Sequence, residues 1–160
     1  VRVMDALPMT PYLARAPFDW STILRLIQTE FAFMAGRIDP PSSMQALTEA
    51  MIAAQPEVWV AGAPPIACMF LTPKADALYL GKLAVAASHR GQGLARRMVE
   101  LAEDRARQQG LRAVELQTRI ELVENHAVFV ALGFVETART AHKGYDRPTA
   151  LTFRKAVEPR

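Results

Sequence analysis

Arg90, Gly91, Gln92 and Gly93 stand where a strand-like run beginning at Leu80 gives way to an amphipathic helical pattern. A helix N-terminus presents unpaired backbone N–H groups and the positive end of the helix dipole, which together attract phosphate. Gly91 and Gly93 carry no Cβ that would keep an anion off the backbone. Arg90 adds a permanent charge suited to phosphate oxygens. The chemistry these residue types support is anion recognition.

Two better-known phosphate motifs fit badly. A dinucleotide fingerprint needs a small residue three after the second glycine, where Arg96 stands, and no run of βα units surrounds the loop. A P-loop needs Gly-Lys followed by Ser or Thr, which is missing. Covalent catalysis has one candidate nucleophile, Cys68, but its segment Ile66–Leu71 reads as buried core and it lacks an evident His partner. His89, His126 and His142 are scattered, and no Cys/His pair has ligand spacing, so no metal is expected.

The elements that must position these residues follow from spacing. Residues 10–17 read as a short first strand. Asp19 or Ser21 caps a helix from Ile23 to about Met34, and the Pro40-Pro41 pair stops the chain before a second helix near 44–54, capped by Ser42 or Ser43. Residues 57–62 and 66–73 flank Ala63-Pro64-Pro65 as a hairpin. Residues 77–87 form a third long strand, in which Gly81 hints at a bulge or a close backbone approach. The clearest helix runs from about Gly91 to Gln109, with Glu103 and Arg107 as an i,i+4 pair and Gly110 as its stop. A strand over 111–118, a helix near 123–132 and two closing strands complete a mixed α/β pattern.

A chain of 160 residues supports one compact domain, here read as 1–160. A net charge of +3 permits an anionic ligand without demanding nucleic acid, for which no reading module is present. The most apolar window is broken by Gly62, Pro64 and Pro65 and is too short to span a membrane. No basic stretch followed by an apolar one opens the chain, so no leader is expected. A single cysteine fits a reducing cytoplasm.

The segment Leu83-x-Val85-x-x-x-x-Arg90-Gly91-x-Gly93-x-Ala95 resembles the acetyl-coenzyme-A (CoA) loop of the GNAT superfamily of N-acetyltransferases, and Glu124 to Phe134, ending in Leu-Gly-Phe, is similar to that superfamily's later helix. The resemblance implies a mixed α/β acyl-CoA acyltransferase fold. Its central sheet is mostly antiparallel, splayed between the fourth and fifth strands and flanked by about four helices. It also implies acetyl transfer from acetyl-CoA to a primary amine in a ternary complex. Backbone amides of Arg90, Gly91, Gln92, Gly93, Leu94 and Ala95 would hold the pyrophosphate. Backbone groups of Leu83 and Val85 would pair with the pantetheine arm, and an amide in the same strand would polarise the thioester carbonyl. Asn125 would bond the pantetheine, order its neighbours or cap the helix. The implied partners are acetyl-CoA and an amine acceptor, with no nucleic acid and no membrane; the resemblance also admits a homodimer.

One departure stands out. Four residues before Gly133, many family members carry a tyrosine that protonates the departing thiolate, and here Phe129 occupies that position. A thiol of pKa about 8.5 is a tolerable leaving group without such help. The strand over 77–87 carries no acidic side chain, so Glu30, Glu121, His142 and Tyr145 remain as candidates for deprotonating the amine, with Tyr145 also a candidate acid. His89 beside the loop is a candidate phosphate contact, and His126 reads as structural or solvent-exposed. The missing phenol keeps a second class open, a non-catalytic acyl-CoA-binding or protein-interaction module.

Overall fold

The computed structural model describes residues 9–158; the start of the chain, on which the leader expectation rests, lies outside them. The strands are β1 (Tyr12–Leu13), β2 (Glu57–Ala61), β3 (Ala67–Lys74), β4 (Ala77–Val85), β5 (Ala113–Arg119), β6 (Val135–Thr140) and β7 (Ala150–Ala156), and the helices are α1 (Trp20–Glu30), α2 (Glu49–Ala53), α3 (Leu94–Gln108) and α4 (Val123–Ala131). The strands form one sheet in the order β1-β2-β3-β4-β5-β7-β6. Every neighbouring pair is antiparallel except β4 and β5.

The period-two alternation of β3 divides the core. Met69 and Leu71 face one side, where they pack with Met98, Val99, Ala102 and Ala106 of α3 and with Leu78, Val114, Leu116 and Phe153. Cys68 and Phe70 face the other, where they meet Ile23 and Ile27 of α1, Ile52 of α2, and Val58 and Val60. Each fully buried side chain of this kind contributes roughly 1.5–3 kcal/mol over exposure. α1 thus covers one face of the sheet at β4, and α3 covers the other face at β4 and β5.

Three sequence expectations change. The first helix ends at Glu30, and a 3-10 turn over Ala32–Met34 follows. Asp19 caps it, accepting from the Ser21 N–H at 3.2 Å. The helix expected over 44–54 is split into a 3-10 turn, Ser43–Ala46, and the short α2. Ser42 accepts from the Met44 N–H and Thr48 from the Met51 N–H, so two hydroxyls start two separate turns where one helix was expected. On α3, Arg107 lies 4.0 Å from Glu103 but 2.7 Å from Asp104, so the i,i+3 partner is the closer.

Two local features shape the site. Met69 faces both Lys82 and Leu83, because Cys68 pairs with Ala84 while Phe70 pairs with Gly81. The bulge that Gly81 hints at therefore falls one residue later, with Lys82 in the left-handed region at φ 53°. Parallel pairing of β4 with β5 is confined to Ala77–Tyr79 opposite Ala113–Glu115. Beyond it the strands part.

Candidate active site

The gap between β4 and β5 opens into two clefts that meet. The larger, about 790 Å³, is lined by Glu30, Val85, His89, Arg90, Gly91, Gly93, Leu94 and Ala95 among others. The smaller, about 310 Å³, is lined by Ser42, Ser43, Lys82, Gln117, Thr118, Arg119 and His142 among others. Phe31, Leu83, Asn125 and Phe129 line both, so the clefts share one wall beyond the point where β4 leaves β5.

The larger cleft has room for an anion at the start of α3. Gly93 stands as the N-terminal cap of α3 at φ 81°, with no side chain to satisfy the first helical N–H groups. Gly91 has φ 79°, and space beside both glycines is open for at least 4 Å from where a Cβ would lie. A non-glycine residue would strain this backbone and fill that space. Among the loop residues named from the sequence, Gln92 alone does not line the cleft. The β4 backbone also suits an added strand. The Ala86 N–H donates to the Ile66 carbonyl at 2.7 Å, so antiparallel alternation turns the Val85 groups toward the gap. The Val85 carbonyl accepts there from Arg90 Nε at 3.4 Å.

Arg90 itself is engaged. Its guanidinium pairs with Glu30 at 2.5 Å. Glu124, which lines the same cleft from α4, takes a two-pronged contact from Arg37 at 2.6 and 2.9 Å, and these bonds hold its carboxyl down to about 2. Arg37 also lies 5.5 Å over the Phe33 ring, so the loop after α1 is tied to α4.

The sequence-derived acid–base candidates separate. His142 lines the smaller cleft; its N–H donates to Thr149 Oγ1 at 2.8 Å and its Nδ1 meets the same hydroxyl, which is fully buried. Tyr145 and Glu121 line neither cleft. The Tyr145 hydroxyl donates to Asp39 at 2.6 Å, and this bond to a carboxylate raises the phenol's pKa. Arg147 closes on the other oxygen of Asp39 at 2.9 Å, and Glu121 accepts the Asp39 N–H at 3.0 Å. The three form a loop-fastening group around Asp39. Glu30 is the partner of Arg90.

Other residues fall as follows. Leu122, not Asn125, holds the cap position of α4, and Asn125 is free to face both clefts. Phe129 packs edge-on to Phe134 and against Phe153, each with centroids 6.0 Å apart. His89 lines the larger cleft beside Ser88, at 2.8 Å, and His126 meets the Arg119 carbonyl at 3.0 Å. Cys68 is fully buried, and burial pushes its thiol up to about 12, so it is no nucleophile. Among the described residues, no three His, Cys, Asp or Glu side chains come together as metal ligands, and no helix is long and apolar enough to cross a membrane. Sequence reasoning missed Lys82 and Arg119. The signal for Lys82 was a lone charge directly after Gly81 in an otherwise apolar strand.

Comparison with protein-family models identifies one family. The profile described as the acetyltransferase (GNAT) family matches residues 20–134. No curated protein matches the chain. Among solved structures, a chain of the NatC complex bound to Gag peptide and CoA is 20% identical, with a TM-score of 0.68 over 95% of this chain and 100% of that one. The ribosomal-protein-S18-alanine N-acetyltransferase from Escherichia coli is 18% identical, with a TM-score of 0.66 over 96% of each. An acetyltransferase of the GNAT family from Staphylococcus aureus Mu50 is 11% identical, with a TM-score of 0.73 over 94% of this chain and 100% of that one. At such identities the likeness is one of fold.

Proposed function

Because this chain belongs to the GNAT acetyltransferase family, we propose that it transfers an acetyl group from acetyl-CoA directly to a primary amine. The observation that carries this reading is the meeting of the two clefts at Leu83, Asn125 and Phe129. A carrier laid along β4 and an amine entering beside β5 come together there without a covalent enzyme intermediate. The NatC complex, one chain of which shares this fold, is bound to CoA in its structure, which supports the choice of carrier.

In this reading the amides from Arg90 to Ala95 bind the pyrophosphate. Leu83 and Val85 pair with the pantetheine, and Asn125 orients it. The amine lone pair attacks the thioester carbon. An N–H of β4 stabilises the resulting oxyanion, the C–S bond breaks, and the thiolate leaves with its electron pair. His142 takes the amine proton. When its Nδ1–H is donated to Thr149 Oγ1, Nε2 carries the lone pair a base needs. Phe129 has no proton to give, so solvent protonates the thiolate.

Thiol release from acetyl-CoA across a panel of amine classes tests the proposal. Amine-dependent release is the expected result. CoA affinity with no turnover on any amine would establish the binding-module reading instead.

A further inference from the structure

The smaller cleft is lined by Lys82, Arg119 and His142, and no carboxylate side chain lines it. Two of these groups lack the partners that burial demands. Lys82 is placed by the bulge inside the gap between β4 and β5, and among the described residues no acidic group pairs with it; burial alone lowers its pKa. Arg119 spends Nη2 on the carbonyls of Pro40 and Pro41, at 2.6 and 3.2 Å, while its Nη1 is buried without a hydrogen bond. The carboxylates of the surrounding loops are engaged elsewhere. Asp39 serves Tyr145 and Arg147, Glu124 serves Arg37, and Glu30 serves Arg90; Glu121 accepts the Asp39 N–H with one oxygen, while its other oxygen is buried without a hydrogen bond and does not line the cleft. Ser42, Ser43, Gln117 and Thr118 add hydrogen-bonding groups to the same wall.

We infer that the acceptor of this site is a small amino acid-like molecule whose carboxylate is held by Arg119 and Lys82 while its amine faces the acetyl donor. A guanidinium edge matches a planar carboxylate, and a cleft of about 310 Å³ suits a small molecule. A neutral amine of the same size leaves both cations unmatched, so its exclusion follows from the same groups. The inference rests on the acetyl-transfer reading only for which end of the acceptor reacts; recognition of the carboxylate stands apart from turnover.

The experiment therefore has a binding arm and a turnover arm, both with the whole chain and saturating CoA or acetyl-CoA. Calorimetry on the CoA-loaded protein compares N-acetyl amino acids with their matched carboxamides. At least one acid in the panel is expected to bind about tenfold or more tighter than its amide. Lys82→Met and Arg119→Gln should each erase that preference while CoA affinity holds. Acids that bind no better than their amides, or a preference that persists in both variants, overturn the inference whether or not the protein turns over. Thiol release with free amino acids and their amides should follow the same order. Failure of thiol release alone, with the binding preference intact, would sink the catalytic reading and spare this one. Lys82→Met guards against an Arg119→Gln variant that fails to fold, since Arg119 also fastens Pro40 and Pro41.

Discussion

Arg90 and Glu30 are joined at 2.5 Å within the lining of the larger cleft, with the Glu30 side chain only 10% exposed and that of Arg90 59%. The charge that reads in the sequence as a free phosphate ligand is thus already matched. Replacing Glu30 by Gln removes a negative charge from the proposed phosphate site and releases the guanidinium. CoA affinity should rise about threefold or more. A folded Glu30→Gln protein that binds CoA more weakly would mean that the pair orders the loop and does not compete with the ligand.

Gly93→Val should weaken CoA binding by at least about tenfold, or about 1.4 kcal/mol. Two effects act together, since a β-branched residue is strained at φ 81° and its branches occupy the open space beside the helix N-terminus. Calorimetry of a variant shown to be folded by its thermal transition checks this. Unchanged affinity would remove the loop from the phosphate site.

His142→Gln should lower turnover by about a hundredfold, with CoA affinity intact. Tyr145→Phe should cost less than about threefold, because its hydroxyl is committed to Asp39 outside both clefts. Reversed results would exchange the roles of these two residues.

Glu124 is held down to about 2, chiefly by the hydrogen bonds from Arg37, whereas an unfolded glutamate titrates at about 4.3. Its folded pKa is the lower, so what the pair adds to stability is complete above the ordinary value and lost as pH falls through about 2. Arg37→Gln should return the carboxyl to its ordinary range in an NMR titration. Both side chains are exposed, so added salt should move the wild-type value the same way. A Glu124 that titrates normally in the unmodified chain would mean the contact does not persist in solution.

Cys68, with its thiol near 12, should resist aromatic disulfide reagents at neutral pH and react only at the rate at which the native chain opens. Immediate stoichiometric labelling of the folded protein would place it at the surface.

Where local chemistry decides, the sequence reads truly. The loop from Arg90 to Ala95 and the stripe of α3 were legible because glycines and helical spacing act within a few residues. The hairpin of β2 and β3 was marked by Pro64 and Pro65. Its reach ended where distant segments meet. Asp39 joins Tyr145 across 106 positions and Arg37 joins Glu124 across 87, and no pattern along the chain announces such pairs. Arg119 ends a strand, and only the parting of β4 from β5 makes that end a wall of a cleft. The split of the second helix was a nearer miss, since Thr48 in the middle of the segment was itself a cap signal.

The three residue pairs that join β4 to β5 make the two strands the arms of a pair of tongs, pivoting at Tyr79 and Glu115. From Tyr79 to Val85 the arm runs about 20 Å at strand rise. A change of only about 5° between the arms shifts the jaw by about 1.7 Å over that length, and misplacement by about 1 Å is enough to slow a positioned reaction a hundredfold. Ala113 and Val114, buried at the pivot and remote from the reacting groups, therefore govern the aperture through leverage. Enlarging either one alters how acceptor and donor are aligned without touching either ligand.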